Sequence, residues 1–123
     1  MPVADGENSP KHASPSRIMD QMLQGLEARF DDAMMGVYQR ALKECHYNAS
    51  RFLQMLYAHR GLETARILLH APTVSEGYVA LWERGRLDLT VEALMLSTEW
   101  HALFTDAERE IARKRLAEYG YGV

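Results

Sequence analysis

Cys45 and His46 are adjacent, and a histidine beside a cysteine is the pairing that turns a thiol into a thiolate nucleophile. Activation requires the imidazole to face the sulfur. Neighbours on a helix point about 100° apart, and Cys45 also continues an apolar stripe, so it reads as a core residue. His46, His59 and His70 lie in separate segments, there is no HExxH, and a single cysteine cannot build a thiolate site. No metal site is expected. His59 falls on the inner face of its helix and is expected to be a hydrogen-bonded core histidine. Glu83, Asp88, Glu92 and Glu99 are the candidates for paired carboxylates in acid–base work. Asp88 and Glu92 are four residues apart, but one flanks a helix start, where an acid serves the helix dipole in any protein. Without a GxSxG, a Walker loop or a GxGxxG, the sequence names no catalytic residue and no cofactor.

The chain that must hold these groups has 123 residues, 47% of them hydrophobic and 25% charged, ordinary values for one globular unit. A single cysteine excludes an internal disulfide and fits a reducing compartment. No apolar run approaches the ~20 residues that cross a bilayer, and the N-terminus lacks a basic-then-apolar signal. A cytoplasmic protein is the expectation. Net charge is −3, unevenly spread. Residues 1–38 hold three Lys/Arg against six Asp/Glu, residues 39–72 five against two, and residues 73–123 six against nine. The basic middle either faces phosphate or an acidic partner, or is the solvated side of two helices.

Residues 1–16, rich in Pro, Ser, Gly and Asp, bury too little apolar surface to offset their ordering entropy and read as a disordered tail. Ser14-Pro15 supplies a cap and a first-turn proline for a long helix. In it Met19, Leu23, Leu26, Phe30, Ala33 and Val37 follow steps of 4, 3, 4, 3 and 4, the seam of a helix meeting another lengthwise. Gly25, Asp31-Asp32 and Gly36 weaken it, with a break expected near Asp31 or Gly36. Asn48 is the expected cap of a second helix, stapled by Tyr47 and Phe52, which Gly61 ends in left-handed conformation. Leu62 to Leu69 form a third helix stopped before Pro72. Thr73 or Ser75 caps a fourth, with Tyr78, Leu81 and Trp82 as its buried stripe and Gly85 as its stop. In "RGRLDLT", Leu87 and Leu89 plug a corner and Thr90 caps the next helix. Thr105 and Glu108 form a capping box for the last, where Glu110 and Lys114 make an i,i+4 pair and Gly120 ends the run.

Three functional readings compete over these elements. "RFLQMLYAHRGLETARILLH" is helix, glycine turn and helix, with Arg51, Arg60 and Arg66, joined by Arg113 and Lys114, as candidate nucleic-acid contacts. Tyr57 is too large for the small-residue position before a DNA-reading turn, and a net charge of −3 gains little from counterion release. The preferred reading is a non-catalytic module that binds a protein partner or itself through the first helix, with Leu23, Leu26, Phe30 and Met34 as contacts. Several of the seven methionines stand on that helix and provide an adaptable apolar surface. An enzyme is the third reading.

"YNASRFLQML", "RGLETARILLH", "SEGYVALWERGRLDLTVEALML" and "EWHALFTDAEREIARKRLAEYGY" together resemble a group of short all-helical bacterial proteins with no assigned activity. The resemblance spans roughly Val37 to Tyr121 and implies one compact helical module; it brings no catalytic or binding residue. The expected fold is an all-α compact bundle of five to seven mostly short helices with a longer N-terminal one, residues 17–123 forming one domain. Its core is expected to include Phe52, Leu56, Leu69, Leu81, Trp82, Leu94, Phe104, Ile111 and Leu116. A cytoplasmic homodimer that stays off membranes is the accompanying expectation.

Overall fold

A computed structural model of the chain describes residues 15–122. The elements run α1 (Pro15–Cys45), α2 (Ser50–His70), α3 (Glu76–Glu83), a 3-10 turn (Leu87–Leu89), α4 (Val91–Met95), a second 3-10 turn (Thr98–Leu103) and α5 (Asp106–Glu118). The fold is all-α, and no strand occurs among the described residues. Of the expected tail, 1–14 lie outside the described residues, whereas Pro15 and Ser16 already belong to α1.

α1 is one helix of 31 residues, without the break expected at Asp31 or Gly36. Its continuity is imposed by packing. Phe30 and Met34 are 0% exposed and Ala41 2%, so residues on both sides of Gly36 are anchored in the core. Fully burying a side chain such as Phe or Met is worth about 1.5–3 kcal/mol, more than the ~1 kcal/mol penalty of a mid-helix glycine. Phe30 is the hub: the rings of Trp100 and Phe104 meet it edge-on at 5.2 and 5.5 Å. Leu56, Ala65, Leu69, Val91, Met95, Leu103 and Ala112 complete this main core, with Phe52, Leu94 and Ile111 among the half-buried residues packed against it. A second cluster joins Ala41, Leu81 and Leu89, and a third joins Tyr78, Leu87 and Leu116. Trp82 departs from the expected core: it is 46% exposed and lies edge-on to Tyr119 at the surface.

The α1–α2 contact explains two further departures. Gly61 does not end a helix. Arg60 takes the positive φ instead (φ 66°, ψ −178°), and helical structure resumes beyond it to His70. The glycine is committed elsewhere. Gly61 is buried against α1, where a Cβ would lie 2.9 Å from Asp31 Oδ1 and 3.1 Å from Asp31 Cα. Asp31 Oδ1 accepts the Gly61 N–H at 2.7 Å, and Oδ2 accepts from Arg60 Nε at 3.1 Å. The carboxylate of α1 thus caps the second arm of α2. Across the bend the fully buried Thr64 hydroxyl donates to the Met55 carbonyl at 3.0 Å, keeping the interior polar groups satisfied. His59 is exposed on this bend, not in the core.

Other ends follow the sequence closely. Ser75, Thr90 and Thr105 each accept an N–H of their helix's first turn, and Thr105 with Glu108 completes the capping box. Gly85 (φ 70°) and Gly120 (φ 85°) adopt the left-handed conformation after α3 and α5, and Arg86 and Tyr121 close these ends onto Leu81 and Leu116 carbonyls at 2.8 Å. The exception is α2. Its N-cap is Ala49 without a side-chain bond, because Asn48 Oδ1 is taken by the Tyr38 hydroxyl at 2.8 Å.

Adjacent substitutions at the bend have opposite expected effects. Gly61→Ala forces a Cβ onto Asp31 and should cost about 1–3 kcal/mol in urea unfolding. Arg60→Gly removes backbone strain of about 1–3 kcal/mol and loses only an exposed ion pair worth about 0–1 kcal/mol, so it should leave stability unchanged or raise it. Equal losses at both positions would contradict this assignment.

Candidate functional site

The corner that raised the carboxylate question is filled. Leu87 and Leu89 are 6% and 2% exposed, plugging the turn between α3 and α4. Asp88 and Glu92 do not converge. Asp88 turns outward to Arg86, whose Nε donates to it at 2.9 Å, and Arg86 Nη2 reaches Glu44 of α1 at 2.7 Å. Hydrogen bonds from Arg40 and Arg86 hold the Glu44 carboxyl down to about 2, and the bond from Arg86 lowers that of Asp88 as well. These acids stay ionised in a surface network that pins the corner to α1.

Glu92 turns inward. It is 5% exposed, and burial raises its pKa against the pull of its own backbone N–H and of Arg115, which donates to it at 3.1 Å. Arg115 also donates to the carbonyls of Leu68 at 3.1 Å and Ala71 at 2.6 Å, joining α5, α4 and the end of α2. Glu108 is the matching latch. Burial opposes its ionisation, but the Thr105 N–H, His70 and Arg66 outweigh it and lower its pKa. Arg66 and His70 reach it at 3.2 and 3.0 Å. The buried carboxylates are held by structural partners.

Cys45 packs half-buried against Ala41, Leu81 and Leu89, while His46 takes the left-handed turn (φ 55°) after α1; no hydrogen bond joins them. No group of three or more His, Cys, Asp or Glu side chains gathers in a metal-ligating arrangement among the described residues.

The basic candidates do not form one free positive surface. Arg60 is paired with Asp31, Arg66 with Glu108 and Arg113 with Glu110; this last pair replaces the expected Glu110–Lys114 bridge. Arg60 and Arg66 share a notch with Glu27, Asp31 and Glu63. Arg51 and Lys114 are exposed and have no charged partner among the described residues.

Of the α1 contact residues, Phe30 and Met34 are core and unavailable to a partner, and Leu23 and Leu26 are half-buried against the same core. The seam nevertheless runs past the end of the bundle. Ile18, Met19 and Met22 are 48, 54 and 63% exposed, a contiguous apolar strip on the first turns of α1. Of these only Met19 belongs to the seam read from the sequence, and where the bundle ends was not legible there.

A second feature escaped sequence reading. A groove of about 490 Å³ opens between the second half of α1, the residues before α2, the start of α3 and the corner before α4. Val37, Ala41, Phe52, Met55, Leu68 and Leu89 give it apolar walls. Arg51 and Glu76 stand exposed at its edge, and Glu92, already paired, lies at its base.

No family model, curated protein or solved structure matches the chain. Among the described residues no helix is long and apolar enough to cross a membrane.

Removing the Arg115 guanidinium strands a buried carboxylate, so Arg115→Met should cost about 3–5 kcal/mol at pH 7. A raised carboxyl pKa means that protonation favours the folded state: the associated stability is present below pH 4.5 and lost as pH rises through the folded-state pKa. The Arg115→Met penalty should therefore shrink on acidification towards pH 4.5, compared by urea unfolding. A penalty independent of pH would mean that Glu92 is not the group left unpaired.

Proposed function

We propose that this chain is a non-catalytic helical interaction module that associates with a second copy of itself through the opening turns of α1. The observation that supports the reading is the exposed strip Ile18, Met19 and Met22, in which Met19 continues the 3.5-residue seam beyond the fold's own core and Ile18 and Met22 flank it. A seam of that spacing is self-complementary: two copies related by a twofold axis can interdigitate the same residues. Methionine adapts to a facing surface better than branched side chains do, which suits a contact that must form and release. The area is small. Three side chains bury a few hundred Å², well under the ~1,200 Å² of a stable interface, so the association is weak and reversible.

The pairing of Arg60, Arg66 and Arg113 with acids weighs against a nucleic-acid surface as the primary role. The filled corner at Asp88 weighs likewise against an acid–base site.

Sedimentation equilibrium across a wide concentration range provides the test. The wild-type chain should show a mass that rises with concentration, and Met19→Glu/Met22→Glu should stay monomeric with unchanged unfolding. Leu26 and Phe30 are unsuitable probes because changing them disturbs the core. A wild-type chain that remains monomeric at its solubility limit would remove the self-association reading.

A further inference from the structure

We infer that the groove between α1, α2, α3 and α4 is a binding site for a small apolar molecule bearing one anionic group. Its volume of about 490 Å³ lies within the roughly 300–1,000 Å³ of small-molecule sites, which are mostly apolar with a few placed polar groups. The walls come from separate elements held by the Arg86–Glu44 and Arg115–Glu92 bridges, so the shape is formed before anything enters.

Small residues leave the room open. Ala41, Ala49 and Gly77 line it, and a Cβ at Gly77 would meet nothing closer than the Tyr47 hydroxyl at 3.7 Å. Packing does not require glycine there. The Tyr47 hydroxyl has no hydrogen bond to a described residue and sits beside the start of α3.

The charges at the groove indicate the polarity of the occupant. Glu92 is neutralised by Arg115 and recruits nothing. Glu76 occupies the first turn of α3, where a negative charge is already stabilised by its own helix. Arg51 is placed the opposite way. It is a cation in the first turn of α2, which holds no acid, and it has no charged partner among the described residues. An anionic group on the ligand would supply that partner at the mouth while the apolar body fills the walls.

Two dyes separate these elements: the aromatic sulfonate ANS, and N-phenylnaphthylamine, which shares its rings without the charge. Both should bind the full-length chain saturably with one dye per chain, seen as enhanced fluorescence. Val37→Phe, which fills the groove, should weaken both at least about tenfold, as for loss of a desolvated apolar contact. Gly77→Leu is the independent filling variant should Val37→Phe fail to fold, and far-UV circular dichroism establishes which is native. Arg51→Ala should weaken ANS about three- to tenfold and leave the uncharged dye unchanged. Absence of dye binding, or binding that survives filling of a native groove, overturns the site. Equal effects of Arg51→Ala on both dyes overturn the anionic part. Loss of dye in Met19→Glu/Met22→Glu, with none in the filling variants, places the dye on the α1 strip and also overturns it.

Discussion

One carboxylate fixes the relation between the two long helices. Asp31 of α1 receives the Gly61 N–H and the Arg60 guanidinium at the bend of α2. A bend leaves backbone donors without helical partners, and a buried donor left unmade costs about 1–3 kcal/mol. Asp31 removes that cost only if α1 comes close enough to touch the bend, and only glycine at position 61 allows the approach. The strain then falls on Arg60, which holds a positive φ that residues other than glycine rarely adopt. With the bend in place, Ala65 and Leu69 on the second arm reach the core around Phe30, and His70 and Arg66 reach Glu108 of α5. The rest of the bundle is assembled on that geometry.

The remaining polar interactions inside the fold act as latches on this frame. Arg115 satisfies Glu92 and two carbonyls near the end of α2, while Glu108 closes its own capping box and holds two basic side chains from α2. Both use residues of α5, the helix whose charges were most plainly ordered in the sequence. The carboxylates of Asp88, Glu92 and Glu108 thus have structural partners. Among the described residues, the features that have no such partner include an exposed apolar strip on α1 and a groove with an unpaired arginine at its edge.

Much of the fold was legible because local signals agreed with each other. Ser75, Thr90 and Thr105 are caps, the last with its capping box, and Gly85 and Gly120 end helices as their positions suggest. The readings that failed were those in which a distant residue outbid a local one. Asn48 is a good cap by type, but the Tyr38 hydroxyl takes its oxygen. Gly61 is a good stop by type, but contact with α1 claims it. Trp82 is apolar and correctly spaced, yet it covers Tyr119 at the surface. Spacing marks an apolar seam on α1 but does not reveal that Phe30 and Met34 serve the chain's own core while Met19, with Ile18 and Met22 beside it, stays exposed. The groove was invisible for the same reason: its walls come from segments far apart in sequence.

Hydrogen exchange at the Gly61 amide probes the central contact most directly. An N–H bonded to the Asp31 carboxylate inside the α1–α2 contact should exchange only with global unfolding, as slowly as amides in the centre of α1. Exchange of that amide at the rate of an open loop, with α1 still protected, would show that the carboxylate does not cap the bend and would contradict the account.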